Sequence, residues 1–308
     1  MKILLAYDGS ENSDAAIDDL QFAGLPEKSE ATVLSVADVL VPPTSRRTHE
    51  AAVAPSIVVG VRTAQQRAQS ALDEARSLSE RAHDRLQKLF PTWAITAEAC
   101  ADSPAWAVIK KADEWEPDVV VVGAKGHSVL GGRLILGSVS QRVLYEARCS
   151  VRIGRHTRKS AEDPIKILIG VDGSTYSEAT VATVARRPWP SGTQVFLLAV
   201  VDTVMSMPAD AGSNEPKWIE VSDEKDWDEV RKLFALSLHT LRRAGVDADL
   251  MIRRGDAAQE IVEQAESWGA DSIFLGAKGV RGIERVLMGS VSSSVAARAH
   301  CSVEVVRP

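Results

Sequence analysis

The sequence predicts an α/β protein made of two tandem domains, each a doubly wound, five-stranded parallel sheet of the Rossmann-like type. The first observation is an internal repeat, because the fifteen residues that begin at Lys2 match those that begin at Lys166 at eight positions. The second is that apolar runs of strand length alternate with helical patterns in each copy, the order typical of βαβ units. The third is that runs such as DVVVVG and DSIFLG are apolar throughout, as expected for strands buried on both faces of a parallel sheet.

The repeat extends over nearly the whole chain and sets the domain boundaries. Fourteen residues from Ser138 match those from Ser290 at eight positions, and the tetrapeptide GAKG occurs once in each copy. We therefore expect a first domain at 1–157 and a second at 164–308. The run RHTRKSAEDP that begins at Arg155 is polar, rich in charge and ends in proline, which predicts an exposed linker.

Ten strands follow from the apolar runs, five in each copy, and right-handed crossover helices connect them. In copy one the predicted strands are 2–7, 32–36, 94–99, 118–123 and 150–153. In copy two they are 165–171, 194–201, 247–252, 272–276 and 302–306. Residues 61–89 read as one long amphipathic helix, and residues 202–224 read as a loop.

Composition and charge narrow the class of protein. The chain has 308 residues, of which 45% are hydrophobic and 25% charged, the ordinary profile of a globular protein. Its formal charge of −6 arises from residues 161–308, which hold 16 Lys and Arg against 22 Asp and Glu. Neither copy offers the basic face that nucleic acid requires, so nucleic acid is not an expected partner.

The cysteines and the lengths of the apolar runs indicate where in the cell the protein is expected. The three cysteines form no C-x-x-C pair, which argues against a zinc site and against a disulfide framework. No apolar stretch has the roughly 18 residues of a membrane-spanning helix. A soluble cytoplasmic protein without a membrane partner is therefore expected.

A glycine-bearing loop in copy two carries the chemistry. The tetrapeptide GAKG closes the predicted fourth strand, nine residues follow, and Gly289 and Ser290 open a helix. A glycine at a strand end lets the backbone turn and a ligand approach closely. Glycine and serine at a helix start leave free N–H groups and the positive end of the helix dipole directed at one spot. At the carboxyl ends of parallel strands this arrangement predicts an anion cradle, for which phosphate is the natural ligand.

This loop is neither a Walker loop nor a dinucleotide fingerprint, since G-x-x-x-x-G-K-[ST] and G-x-G-x-x-G after the first strand are both absent. The first strand of each copy is followed instead by the tripeptide DGS. In such a sheet the first strand ends beside the fourth, so Asp172 should face the same crevice as Gly276. Its carboxylate can accept hydrogen bonds from a ribose hydroxyl or an exocyclic amine, or it can cap a helix, and both interpretations stand at this point.

The pattern G-x-x-G, nine residues, then G-[ST] resembles the nucleotide loop of the universal stress protein family, as do the VDGS first strand and the small strand after AHCSV. The resemblance covers nearly the whole chain as two tandem domains. It implies strand order 3-2-1-4-5, ATP binding, and a regulatory or stress-survival role. The nucleotide-binding residues that it implies in copy two are Asp172, Val200, Gly276, Gly279, Gly289, Ser290, Val291 and Ser292.

Copy one departs from the family pattern by one residue. Ten residues, HSVLGGRLIL, separate the two glycines where the family has nine. A local bulge at the Gly-Gly pair can absorb the extra residue, or it can misdirect the cradle, so nucleotide binding by copy one is left open. The matching residues are Asp8, Val36, Gly123, Gly126, Gly137, Ser138 and Ser140.

Three functions are compatible with these motifs. The first is a regulatory protein that binds ATP, or ADP or AMP, with Mg²⁺ accompanying the phosphates. The second is a slow ATPase or a nucleotidyl-transferring enzyme, although no catalytic residue and no metal ligand can be assigned. The third is a scaffold that binds no nucleotide and that the duplication holds as a pseudo-dimer.

The resemblance also implies an arrangement of the two copies, because domains of the family pair through their last strands. The segments 151–153 and 303–306 are expected to pair within one chain and to hide both sheet edges. The predicted assembly is an intramolecular pseudo-dimer that can dimerise again as a homodimer. The partners expected besides adenine nucleotide are proteins that the sequence does not identify.

Overall fold

The computed structural model describes residues 1–39, 55–125, 136–155, 163–201, 204–207, 217–220, 227–279 and 288–308. The elements of the first half are β1 (Lys2–Ala6), α1 (Glu11–Asp19), β2 (Glu30–Ala37), α2 (Pro55–Leu89), β3 (Ala94–Ala101), α3 (Pro104–Trp115), β4 (Val119–Gly123), α4 (Ser138–Glu146) and β5 (Ser150–Gly154). Those of the second half are β6 (Lys166–Val171), α5 (Thr175–Arg186), β7 (Gln194–Val201), β8 (Val204–Met207), β9 (Lys217–Glu220), α6 (Trp227–Arg243), β10 (Asp247–Arg254), α7 (Ala257–Trp268), β11 (Ser272–Gly276), α8 (Ser290–Arg298) and β12 (Ser302–Val306).

All ten predicted strands are present, with ends shifted by one or two residues. They form a single sheet in the order β10-β7-β6-β11-β12-β5-β4-β1-β2-β3. Each half therefore has the order 3-2-1-4-5, and every pair within a half is parallel. The α/β fold class and the strand order are confirmed.

Two segments differ from the sequence prediction. The long helix begins at Pro55 and not at residue 61, which is compatible with proline because the first turn of a helix needs no N–H donor there. Within the predicted loop 202–224, β8 and β9 pair as a short antiparallel ribbon. The sequence contains no turn signal of the two-residue hairpin type between them, so this pairing was missed.

The helices cover both faces of the sheet, as the alternation of strand side chains requires. On one face of the first half, Ile3 and Leu5 pack against Ile17 of α1 and Leu86 of α2. On the other face, one continuous apolar core extends across both halves and includes residues from α3, α4, α7 and α8. Among the described residues, no helix is long and apolar enough to cross a membrane.

The two halves join through their last strands. Strand β12 pairs antiparallel with β5, with Val303 opposite Ile153 and Val305 opposite Val151. All four side chains are buried. The predicted pairing within one chain is therefore confirmed, and it removes the open edge that each five-stranded sheet would otherwise present.

Arginines that follow the last strands cross the junction reciprocally. Arg155 donates from Nη2 to the carbonyl of Ala296 (2.6 Å) and from Nη1 to that of Cys301 (3.3 Å), at the C-terminal end of α8. Arg307 donates in the same way to the carbonyl of Leu144 (2.6 Å) at the end of α4. Each cation thus satisfies carbonyls at the negative end of a helix dipole. The assignment of Arg155 to an exposed linker was wrong, and burial lowers the pKa of its guanidinium to about 10.

A buried ionic cluster lies on the opposite side of the same strand pair. The Arg152 guanidinium donates from Nε to Asp19 Oδ2 (2.6 Å) and from Nη1 to Glu304 Oε2 (3.2 Å). Arg187 donates to both carboxylate oxygens of Glu304. Arg152 and Glu304 are each 1% exposed. Two cations and two anions therefore neutralise one another inside the junction, which buried charges require.

This cluster predicts a specific pH dependence of stability. Burial raises the pKa of the Glu304 carboxyl, but Arg187 and Arg152 outweigh that effect and hold its pKa below the ordinary value. A carboxyl with a lowered folded-state pKa stabilises the fold above its unfolded pKa of about 4.3, and this contribution is lost as the pH falls through the folded value. We expect the urea midpoint to fall with pH below about 4.3 less steeply in Glu304→Gln than in the wild type. Equal slopes would contradict this assignment, and Glu146→Gln, at an exposed ion pair, is the control.

Candidate functional site

The predicted site residues of the second half meet at the carboxyl edge of the sheet. Strand β6 lies between β7 and β11, and all three run in the same direction. Asp172 follows the last residue of β6, Val200 lies near the end of β7, and Gly276 is the last residue of β11. The three positions are thus neighbours at one edge, where ligands of open α/β sheets bind.

Two hydrogen bonds join the end of β11 to the start of α8. The Gly289 N–H donates to the carbonyl of Ala277 (2.7 Å), and the Ser292 hydroxyl donates to the carbonyl of Gly276 (2.6 Å). These hydrogen bonds hold the start of α8, where the loop ends, next to the end of β11, where the loop begins. A Cβ atom at Gly289 would lie 3.2 Å from the Ala277 oxygen, closer than most side chains allow. Glycine lets the helix start approach the strand end this closely.

The first half has the same two anchors. The Gly137 N–H donates to the carbonyl of Ala124 (2.9 Å), and the Ser140 hydroxyl donates to the carbonyl of Gly123 (2.6 Å). The additional residue of copy one falls between Gly126 and Gly137 and leaves these anchors unchanged. Gly126 itself lies outside the described residues.

The N-termini of α4 and α8 carry exposed backbone donors. Gly137 and Gly289 are the N-cap residues, with extended backbone angles, and neither helix start receives a hydrogen bond from a capping side chain in the described part of the chain. Ser138 and Ser290 are exposed at the first helical position, and Val291, at the second, is half-buried against the core. The positive end of each helix dipole therefore points towards solvent at the edge of the sheet.

Asp172 holds the turn before α5 and lies beside the glycine loop. Its Oδ1 accepts a hydrogen bond from the Ser174 N–H (3.0 Å), and Ser174 in turn caps α5 by accepting from Ser177 N–H (3.1 Å). A Cβ atom at Gly279 would lie only 2.5 Å from Asp172 Oδ2. One carboxylate oxygen thus orients the cap, while the other faces the glycine loop. In the first half Asp8 accepts from the N–H (3.0 Å) and hydroxyl (2.6 Å) of Ser10.

The glycine at the end of each fourth strand lets a helix pack closely. A Cβ atom at Gly276 would lie 2.7 Å from Tyr176 Cβ and 2.9 Å from its carbonyl carbon. At Gly123 it would lie 2.7 Å from the backbone carbonyl of Asn12. The α5 and α1 helices therefore occupy the space that a side chain at these two positions would need. These two glycines allow close helix packing, and their carbonyls anchor the serines of α8 and α4.

The acids that follow the third strand of each half accept hydrogen bonds from backbone N–H groups near helix starts. Asp256 Oδ1 accepts a hydrogen bond from Gln259 N–H (2.8 Å) at the start of α7. Asp102 Oδ1 accepts from Ser103 N–H (2.7 Å) just before α3. Within the described ranges, no group of three His, Cys, Asp or Glu side chains has the geometry to hold a metal ion.

A polar network beside the first-half turn was missed by the sequence analysis. The Tyr7 hydroxyl donates to Asp14 Oδ1 (2.7 Å), and Arg81 donates from Nη2 to the Tyr7 hydroxyl (2.9 Å) and to the carbonyl of Gly9 (3.5 Å). Burial, and then the hydrogen bond to Asp14, raises the pKa of Tyr7. The network ties the turn that carries Asp8 to the long helix α2. Tyr7 and Arg81 lie 74 residues apart, so no local pattern could have indicated their contact.

Comparison with known proteins agrees with this geometry. The model of the universal stress protein family matches twice, at residues 1–155 and 165–307. A universal stress protein of Mycolicibacterium smegmatis is 31% identical over 193 residues, which cover 62% of this chain and 62% of that relative. A universal stress protein of Methanocaldococcus jannaschii is 32% identical over 147 residues, or 46% of this chain and 81% of the relative.

A solved structure shares the arrangement of the whole chain. The universal stress protein from Archaeoglobus fulgidus superimposes with a TM-score of 0.66 and 18% identity, over 99% of this chain and 98% of that one. At that identity the likeness concerns the fold, including the tandem arrangement of two halves. Since the family model matches both halves, the chain belongs to the universal stress protein family.

Proposed function

We propose that this protein binds ATP in the cradle of its second half and in that of its first half, and that the bound state regulates a protein partner. The domains would be the two repeats, 1–157 and 164–308. The observation that carries the proposal is the recurrence of one local geometry. In both halves a helix start that has no side-chain cap among the described residues is hydrogen-bonded to the end of the fourth strand, and the neighbouring first strand is followed by Asp8 or Asp172.

The residues present are compatible with an adenine nucleotide. The exposed N–H groups at the starts of α8 and α4 suit phosphate oxygens, because backbone donors and the helix dipole both favour an anion. Asp172 Oδ2 lies beside Gly279 and suits a ribose hydroxyl or an exocyclic amine. Val200 is half-buried next to that carboxylate and offers an apolar contact for a base. A side chain at residue 279 would fill this space, which supports the need for glycine there.

A regulatory role fits the described residues better than catalysis. Hydrolysis of ATP requires a positioned water, a base and a means of neutralising the phosphates. The acids Asp102 and Asp256 accept backbone hydrogen bonds at helix starts. These hydrogen bonds support a structural role for both acids over that of a general base. Slow ATP hydrolysis is the alternative function, and a phosphate-release assay would detect it.

Isothermal titration of Mg²⁺–ATP into nucleotide-free protein tests this function. We expect two sites per chain, because the anchors of the two cradles are alike. We also expect weaker binding of AMP, since fewer phosphate oxygens meet the helix N-terminus. Phosphate release should stay at the level of protein-free ATP. No heat and no thermal stabilisation at millimolar ATP would overturn the proposal in favour of a scaffold, and sustained phosphate release would favour the enzyme.

A further inference from the structure

We propose that the buried pair Arg152–Glu304 selects the pairing between the first and the second half of one chain and disfavours pairing between like halves of two chains. The last-strand edge of each half would thus be specific for one partner, the other half. This inference concerns the junction and does not depend on nucleotide binding.

Arg152 and Glu304 occupy a special position in the repeat. The matched segments place residue 302 at the position of residue 150, so residue 304 corresponds to residue 152. In the antiparallel register these two residues face each other directly. They therefore lie where the pseudo-twofold axis of the junction passes between the strands. A residue at such a position meets its own counterpart in any symmetric pairing.

Most other contacts of the junction do not distinguish the halves. Arg155 contacts the end of α8 in the way that Arg307 contacts the end of α4. The Ser302 hydroxyl accepts a hydrogen bond from the Arg155 N–H, and the Ser150 hydroxyl accepts one from the Arg307 N–H. Because each contact has an equivalent in the other half, pairing between like halves would preserve them. They stabilise the junction without selecting the partner.

The charges at the axis are different in kind. Pairing of two first halves would place Arg152 opposite Arg152, and pairing of two second halves would place Glu304 opposite Glu304. In like pairs each charge would keep the counter-ion of its own half, Asp19 for Arg152 and Arg187 for Glu304, but it would lose the partner across the axis and face a like charge there. Like charges directly opposite on neighbouring strands are destabilising, and burial strengthens the repulsion. In the observed pairing, Arg152 Nη1 donates to Glu304 Oε2 at 3.2 Å, with both side chains 1% exposed. Because the domain is duplicated, the equivalent position can be a cation in one copy and an anion in the other.

Contacts of Arg187 and Trp189 near the axis also differ between the two halves, so they too favour the pairing of unlike halves. Arg187 Nη1 donates to the carbonyl of Ala23 in the first half (2.8 Å), and Ala23 is itself the counterpart of Arg187 in the repeat. The Trp189 ring packs against Gly24, where a Cβ atom would lie 2.7 Å from the ring. The counterpart of Gly24 in the second half is Pro188. In a pair of two second halves, the Trp189 ring would therefore meet Pro188 of the other copy, and the proline side chain would clash with the ring.

The test uses the folded full chain with a protease site inserted between Arg155 and Asp163. The chain is cut after folding, incubated in urea below the unfolding midpoint so that the halves exchange, and examined by native mass spectrometry. We expect the wild type to give only the pair of unlike halves. In the double variant Arg152→Gln with Glu304→Gln, which makes the axis position identical in both halves, we expect pairs of two first halves to appear, since the Trp189 ring still disfavours pairs of two second halves.

Two controls separate selection from stability. The variant Arg307→Gln removes a contact that both pairings share, so it should speed exchange without producing like pairs. The uncut double variant, refolded at high concentration, should contain a larger fraction of dimers in sedimentation velocity than the wild type. Like pairs in the cut wild type would overturn the proposal. Exclusive pairing of unlike halves in the double variant, together with no more dimer in the uncut variant than in the wild type, would overturn it as well.

Discussion

Replacing Arg152 by alanine is expected to lower the free energy of unfolding by about 3–5 kcal/mol, the cost of breaking a buried ion pair by removing one partner. The guanidinium donates two hydrogen bonds to Asp19, one to Glu304 and one to the Ser272 hydroxyl. Without it, the Asp19 carboxylate keeps only the hydrogen bond from Ser302 at 2.7 Å. The variant would thus leave a buried anion without its charge partner. Water cannot replace that partner, because the cluster has no water-exposed side. The effect is measured by equilibrium urea unfolding.

The matched control is Arg142→Ala on the surface of α4. Arg142 forms an ion pair with Glu146 at 2.8 Å, one helical turn away, with both side chains largely exposed. Pairs of this kind contribute about 0.3–0.5 kcal/mol. A loss for Arg152→Ala as small as that for Arg142→Ala would contradict the structure of the junction.

Introducing Asp at Ser290 is expected to weaken ATP binding by the second half by about tenfold or more, or about 1.4 kcal/mol and above. Ser290 is exposed at the first position of α8, where the phosphates would bind. Two unit charges 4 Å apart repel by about 1 kcal/mol in bulk water and about 4 kcal/mol near a protein surface. The same aspartate favours the helix itself, by about 0.3–1 kcal/mol, because it complements the dipole.

Binding and stability should therefore change in opposite directions, which a misfolded variant would not do. Ser290→Ala tests the loss of the hydroxyl alone and should reduce affinity much less than Ser290→Asp. Ser138→Asp is the equivalent change in the first half and should weaken the other site to a similar degree, so that the double variant binds ATP about tenfold more weakly, or weaker still, at both sites. Unchanged affinity in the double variant would place the nucleotide elsewhere.

The sequence predicts the sheet well because its central strands are apolar on both faces. The runs over 118–123 and 272–276 are apolar throughout, so these strands must be buried on both faces. The repeat provides a second, independent sequence for each element. The cradle residues could also be located, since the spacing from Gly276 to Ser290 places a loop between a strand end and a helix start. What the spacing could not show is that the Gly276 carbonyl, and not a ligand, meets the Ser292 hydroxyl.

The junction was only partly predictable, for a physical reason. The family resemblance implied the pairing of the last strands, but the arginine contacts depend on residues far apart in the chain. Arg155 belongs to a charged run that indicates solvent exposure, and its acceptor Ala296 lies 141 residues away. Asp19 and Arg152 are separated by 133 residues. A charged residue gives no local signal of burial, because its partner decides whether burial is tolerated.

The most direct test of ATP binding at the helix N-termini is a crystal structure of the protein grown with Mg²⁺ and ATP. The proposal predicts phosphate density within hydrogen-bond distance of the Ser290 N–H and the ribose or base beside Asp172 and Val200, with the equivalent arrangement at Ser138. Nucleotide bound away from both helix starts, or both cradles empty at millimolar ATP with their Gly289–Ala277 and Gly137–Ala124 anchors intact, would contradict it.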